Sequence, residues 1–251
     1  MTPLVSVVIP AYRCRDTISQ AVDSVLEQNV PLEIIVVDDC PEEPVWEVLQ
    51  GYDGLRYIQN PRNLGAAEAR NVGVALAAAP YVAFLDADDR WRPGKLEKQL
   101  ALLQRTGGVL CCTARELMTP AGEFTGRVIG VKERITYREL LKHNSISCSS
   151  VLIRTDVAKA VPMERADSHE DYITWLKVLK AYGDAWGINQ PLLCYRLSTT
   201  GKSGNKLQSA RMTFMVYRHM GFGWLASIGC FCSYAIHGVI KYVFAKRKGK
   251  T

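Results

Sequence analysis

A chain of 251 residues that is 48% hydrophobic and 22% charged can bury a substantial core, as one large domain or a domain with an appendage, which excludes a disordered protein. Its eight cysteines (14, 40, 111, 112, 148, 194, 230 and 232) form no C-x-x-C pair and no Cys/His spacing, so a zinc site or disulfide framework is disfavoured and reduced, cytosolic thiols are expected. The net charge of +6 is unevenly divided: all 25 acidic residues lie in positions 1–184, net −4, while 185–251 carries ten Lys/Arg and no acid, net +10. A basic tail of that kind suits a polyanion or an anionic membrane surface. Nucleic acid is the weaker partner, because the basic residues flank a long apolar stretch and no nucleic-acid module is recognisable.

The amino terminus, "MTPLVSVVIPAYRC", has no basic region before its short apolar run, which ends at Pro10. It reads as a first strand and not as a signal peptide, which places the body of the chain in the cytoplasm. Next, "DTISQAVDSVLEQ" puts Ile18, Ala21, Val22, Val25 and Leu26 on one helical face. A strand "LEIIVVDD", a short helix near 42–50, a strand "LRYIQN", a helix over about 65–79 and a strand "YVAFLDA" follow. This alternation predicts an α/β fold with a mostly parallel, Rossmann-like sheet and helices on both faces. Farther along, the pattern predicts a helix near 93–105, a strand "VLCCTARELM", a helix "TYRELLKH", a strand "CSSVLIR", a helix "EDYITWLKVLKAY" and strands near 185–196.

Ligands of open α/β sheets bind beyond the carboxyl ends of the strands. Three expected strands end in polar residues there: Pro10 to Tyr12, Asp38 with Asp39, and Asp86 to Asp89. Asp86 and Asp88 form a D-x-D pair of hard oxygen ligands suited to Mg²⁺ or Mn²⁺ bridging to a diphosphate. The same acids could merely end a strand and cap the next helix. No G-x-G-x-x-G follows the first strand, which disfavours a dinucleotide dehydrogenase.

"VSVVIPAYR", "IIVVDDC", "NLGAAEARNVG", "FLDADD" and "HEDYITW", in this order and spacing, resemble the family 2 glycosyltransferases with a GT-A fold over roughly residues 4–200. The resemblance implies a GT-A domain at 1–205, its donor half about 1–105 and acceptor half about 106–205, followed by a helical tail at 206–251. It implies an inverting, metal-dependent transferase that takes a nucleotide-sugar, on this reading a UDP-sugar, and a hydroxyl of a glycan or lipid-linked acceptor. Pro10, Ala11 and Tyr12 would pack on the nucleobase, Asp39 would bond it, and Arg70 would reach base or phosphates. Asp86 would touch the ribose or a metal-bound water, Asp88 would hold the Mn²⁺ or Mg²⁺, and Asp89 would support the loop. Asp171 falls at the position of the general base, with Glu170 as understudy and Trp175 buttressing the sugar or acceptor pocket.

Departures accompany these matches. Arg13 replaces a frequent Asn, and Ser198 stands where relatives often carry a His after "LLCYR". The loop "TTGKSGNK" could close over the diphosphate with Lys202 as a phosphate contact, or serve as a surface linker. Segments "HNSISCSS" and the loop before His169 are expected near the acceptor. The alternative to an enzyme is a catalytically silent GT-A domain acting as a membrane-bound binding or assembly module.

From Met220 to Ile240 the chain has no Asp, Glu, Lys or Arg, a length that meets the criterion for a membrane span. At helical spacing, however, His219, Gly223, Ser227, Cys230, Tyr234, His237 and Lys241 share one weakly polar stripe, and Leu225, Ile228, Cys232, Ile236, Val239 and Val243 lie opposite. That division predicts an amphipathic helix lying in the interface, with the protein peripherally attached to the inner face of the cell membrane. The alternative is that the helix packs on the body or pairs two subunits as a homo-oligomer.

Overall fold

The computed structural model describes residues 2–164, 167–197, 206–243 and 246–247. In chain order the elements are β1 (Val5–Ala11), α1 (Ile18–Leu26), β2 (Leu32–Asp38), α2 (Trp46–Leu49), β3 (Leu55–Gln59), α3 (Ala66–Leu76), β4 (Tyr81–Phe84), β5 (Arg90–Trp91) and α4 (Lys95–Thr106). They continue with β6 (Leu110–Met118), β7 (Phe124–Ile129), β8 (Arg134–Ile135), α5 (Tyr137–Lys142), a 3₁₀ turn (Cys148–Ser150), β9 (Leu152–Arg154), α6 (Thr155–Ala160), α7 (Glu170–Tyr182), β10 (Ala185–Arg196), α8 (Lys206–His219), α9 (Trp224–Val243) and β11 (Lys246–Arg247).

One sheet organises the chain, in the order β11-β7-β6-β9-β4-β1-β2-β3, with β10 beside β6. The strands β4, β1, β2 and β3 are all parallel. Beyond β4 the sheet is mixed: β9 runs antiparallel to β4 and to β6, and β10 runs parallel to β6. Side chains alternate across the pleat, so β1 sends Val5, Val7 and Ile9 into a core under α1 and α4, and Val8 into a second core under α3 and α7. Burial on both faces is why these strands read as continuous apolar runs.

Helix α1 buries Ile18, Ala21, Val22 and Val25 as its periodicity requires, but Leu26 is exposed. The helix expected over 42–50 is a single turn, and "CSSVLIR" divides into the 3₁₀ turn and β9. The short pieces β5, β7, β8 and α6 have no counterpart in the sequence reading, since elements of two to six residues are too short to show a period. Helix α3 lies hard against β1 because residue 73 is glycine: a Cβ there would come within 2.3 Å of Val8 Cγ1. That close approach carries Arg70, one turn earlier, to the carboxyl end of β4.

Candidate active site

The carboxyl ends of β1, β2 and β4 form one edge, and each ends in a differently built loop. After β1, Tyr12 is 46% exposed and Arg13 has a left-handed backbone (φ 47°), with its guanidinium 5.3 Å from the centre of the Tyr12 ring. A non-glycine residue at positive φ is uncommon and marks a turn fixed by its surroundings. Pro10 is half-buried and Ala11 buried, so Tyr12 is the member of this trio that offers an open aromatic face.

Beyond β2 the two aspartates are both buried. Asp38 accepts from the backbone N–H of Cys40 (3.0 Å) and Val45 (2.8 Å) and from the Tyr57 hydroxyl (2.7 Å), which shapes its own loop. Asp39 accepts from Asn60 Nδ2 (2.8 Å) and from the N–H groups of Leu64 (2.9 Å) and Gly65 (2.7 Å). Asp39 thereby fixes the "NLG" segment that leads into α3. Gly65 enters α3 at φ 88°, which glycine adopts without the strain of a side chain.

Two residues beyond the D-x-D strand act on its loop from distant parts of the chain. The Asp86 N–H donates to Ser149 Oγ (3.1 Å). Arg196, the last residue of β10, donates its backbone N–H to Asp89 Oδ1 (2.8 Å) and its Nε to the Asp88 carbonyl (2.7 Å), and its two terminal nitrogens reach the Pro120 carbonyl and Gln20 Oε1 (3.0 Å each). Ser149 and Arg196 were not singled out from sequence. Ser149 sits in "HNSISCSS", a segment expected near the acceptor, yet Ser149 and Ser150 are buried beneath the loop. Arg196 stands in "LLCYR", and only its contacts distinguish it from a strand-end arginine. Asp89 is buried and braced by Arg196, consistent with a loop support.

Arg70 is 6% exposed, not the helix-surface arginine that its position alone allows. It donates to Asp86 Oδ1 at 2.6 Å and pairs with Glu170 at 3.5 Å. Burial opposes its charge, but Asp86 and then Glu170 more than offset this and hold it protonated. One guanidinium fork therefore ties the D-x-D loop to the start of α7, a bidentate task for which an ammonium is poorly shaped.

Asp171 follows Glu170 at that helix start. Burial, and then the charge of Glu170, push its carboxyl above the ordinary aspartate range. Trp175, one turn on, is 1% exposed, its ring 6.1 Å from that of Phe84, beside a small cavity of about 10 Å³. It packs in the core beneath the start of α7. The loop before α7 is held from behind: Ser168 Oγ donates to the Met212 carbonyl (2.9 Å), and His169 Nε2 lies 3.3 Å from the Ser209 carbonyl, both on α8. Ser198 and, in the proposed lid, residues 199–205 including Lys202 lie outside the described residues.

The acids have a chemistry of their own. Burial, and then the neighbouring Asp86, push Asp88 up to about 6. Burial with the charges of Asp88 and Asp86 raises Asp89 well above its usual range. Such crowding of carboxylates is what a divalent cation would relieve, so the donor set fits one. Among the described residues no three His, Cys, Asp or Glu side chains converge as a cluster that could hold a metal. A cation here would be held by one or two carboxylates, Asp88 with Asp86, the mode in which Mg²⁺-type ions bind together with substrate phosphates and water.

A parallel half-sheet with an aromatic platform, a fixed "NLG" loop and a D-x-D loop tied to a second pair of acids defines a GT-A-type glycosyltransferase. Residues 6–160 match the family described as glycosyl transferase family 2, and the chain belongs to that family. It is 37% identical over 245 residues (95% of this chain, 97% of the relative) to Bacillus subtilis (strain 168) TuaG, named for teichuronic acid biosynthesis as a glycosyltransferase. It is 32% identical over 247 residues (97% of each) to the Escherichia coli protein WfaP, named as a UDP-Glc:alpha-D-GlcNAc-diphosphoundecaprenol beta-1,3-glucosyltransferase. The fold is shared with S. aureus TarS 1–349 solved with UDP-GlcNAc, at a TM-score of 0.68 and 17% identity over 98% of this chain and 74% of that one.

Proposed function

We propose that the protein is an inverting glycosyltransferase that moves a sugar from a UDP-sugar to a hydroxyl of a lipid-linked glycan at the inner face of the cell membrane. The observation that carries this reading is the grip of Arg70 on Asp86 and Glu170 together, because it holds the donor-side acids and the base-side acids in one cleft. The names of WfaP, which specify a UDP-sugar and a diphosphoundecaprenol-linked acceptor, and the UDP-GlcNAc bound to TarS support the same donor and acceptor classes.

On this reading the exposed ring of Tyr12 stacks on the uracil, and Asp39 fixes the loop that bounds it. Mn²⁺ or Mg²⁺ held by Asp88 with Asp86 would supply charge stabilisation to the leaving diphosphate. Asp171 accepts the proton of the acceptor hydroxyl as that oxygen attacks the anomeric carbon from the face opposite the diphosphate. The C–O bond to UDP breaks as the new glycosidic bond forms, so the configuration inverts and UDP leaves with the electron pair. A base pushed up by burial is better matched to neutral pH than an exposed aspartate. Arg70 keeps Asp86 and Glu170 in place, and Trp175 supports the turn that carries Asp171.

The test is transfer to a GlcNAc-diphosphate-lipid acceptor from a panel of UDP- and GDP-sugars, with and without chelator, by the wild type and by Asp171→Asn. A UDP-sugar accepted by the wild type alone, with inverted product, supports the reading. Full transfer by Asp171→Asn, or full transfer in excess chelator, would contradict the base or the metal respectively.

A further inference from the structure

The helix pair α8–α9 is docked on the catalytic body with the less apolar side of α9 inward. Ser227 is buried, and the Tyr234 ring lies 5.9 Å from Tyr172 and 5.1 Å from His143. The Tyr217 and Tyr172 hydroxyls are 3.4 Å apart and both donate to carbonyls of α5. The opposite side of α9 faces outward and is apolar: Leu225 is 87% exposed, Ile236 60% and Ile228 49%, on one face at i, i+3 and i+11, with Trp224 at 66% on its flank. A helix that seats its weakly polar stripe on its own protein and turns its aliphatic row to the outside is reversed relative to an ordinary surface helix. Contiguous exposed apolar patches of this kind mark contact surfaces.

Three facts select the occupant. No described helix is long and apolar enough to cross a membrane, so α9 is suited to lie on a surface and not to span one. Apart from Arg196, which is buried against the D-x-D loop, the last 67 residues carry nine Lys/Arg and no acid. Two copies paired face to face through α9 would bring two such segments together, whereas an anionic leaflet is complementary to each, at about five-fold in affinity per basic residue near the surface.

We propose that the outward face of α9, formed by Trp224, Leu225, Ile228 and Ile236, is the surface that seats this protein on an anionic bilayer, with the helix parallel to the membrane plane. The proposal rests on the reading of a lipid-linked acceptor and adds the surface that serves it. The inner side of the same helix pair holds both flanks of the base, Ser168 and His169 through α8 and Tyr172 through Tyr217 and Tyr234. Seating therefore fixes Asp171 relative to the leaflet in which a lipid-linked acceptor is anchored.

Flotation of the full-length protein with vesicles tests this without donor or acceptor. The vesicles are phosphatidylcholine alone or equal parts phosphatidylcholine and phosphatidylglycerol, and the variants are Leu225→Ser/Ile228→Ser/Ile236→Ser and, as a control on α1, Leu26→Ser. Wild type and Leu26→Ser are expected to float with the anionic vesicles, less so with phosphatidylcholine or at high salt, and the triple variant to lose about a hundred-fold in affinity. UDP binding, measured separately by calorimetry, should be the same in all three proteins. Wild type that binds UDP but ignores anionic vesicles overturns the surface and leaves the transferase reading intact; loss of UDP binding in wild type overturns that reading and not the surface. A triple variant that floats like wild type overturns the proposal. So does a wild-type dimer, seen by sedimentation, that the same three substitutions dissolve, since the occupant would then be a second copy.

Discussion

Replacing Arg70 by methionine is expected to lower stability by about 3 kcal/mol and to remove most of the turnover. The guanidinium is 6% exposed and spans Asp86 at 2.6 Å and Glu170 at 3.5 Å, so its loss removes a cation that both acids face. Removing one partner of a buried pair costs about 3–5 kcal/mol because the other charge is left uncompensated. The lower end applies here, since the Asp86 side chain is 31% exposed. In a chain of this length about 3 kcal/mol corresponds to a fall of about 6–12 °C in Tm.

The assay is thermal unfolding followed by circular dichroism, run beside release of UDP from UDP-glucose. Arg70→Lys should recover part of the Tm and little turnover, because an ammonium supplies charge without the fork that reaches two acids. Arg70→Met combined with Glu170→Gln should recover Tm more than turnover, since it deletes the charge that faced Arg70 without restoring the tie. An Arg70→Met protein that melts within about 1 °C of wild type would refute the energetic argument. One that melts low but turns over normally when folded would show that the tie serves the fold and not the site.

Asp171→Asn is expected to lower turnover by about 10²- to 10⁴-fold with donor affinity little changed, as kcat and UDP-sugar binding measured separately will show. With Asp171 as the proposed base, raised by burial, activity should fall as pH drops through a value above the usual aspartate range, about 4. Glu170→Gln, which removes the neighbouring charge, should move that acid limb of kcat/KM downward; an unmoved limb would assign it to another group. Lys95 is fully buried, its amine 2.7 Å from Gln99 Oε1 and 3.9 Å from the centre of the Trp91 ring, and burial lowers it to about 7. The unfolded chain then binds the extra proton between about 7 and 10.4, so this group's contribution to stability rises with pH across that window, by up to a few kcal/mol. Denaturant titrations of wild type and Lys95→Met should differ by that slope, and parallel pH profiles would count against it. Gly73→Ala should cost about 1–3 kcal/mol through the clash with Val8, with Val8→Ala in the same chain restoring much of it.

What the sequence disclosed and what it concealed divide along a physical line. Strands β1, β2 and β4 were legible because burial on both faces leaves an apolar run, and the acids at their ends stand out against it. Asp39, Asp86, Asp88 and Asp171 therefore appear within local motifs. Partnerships do not: Arg70 meets Glu170 across 100 residues and Arg196 meets Asp89 across 107, and no spacing rule encodes either. The same limit hid which way α9 turns. Its two stripes follow from the helical repeat alone, but their assignment depends on Tyr172, Tyr217 and His143, which supply an aromatic seat for Tyr234 and leave Leu225, Ile228 and Ile236 outside. Three carboxylates at the end of an apolar strand are tolerable for a related reason. Asp86 is paired with Arg70, Asp89 is bound by the Arg196 backbone, and Asp88 lies near both arginines yet is still raised by burial and by Asp86. An acid kept half-buried beside like charges is costly to the fold, and a bound cation would offset that cost.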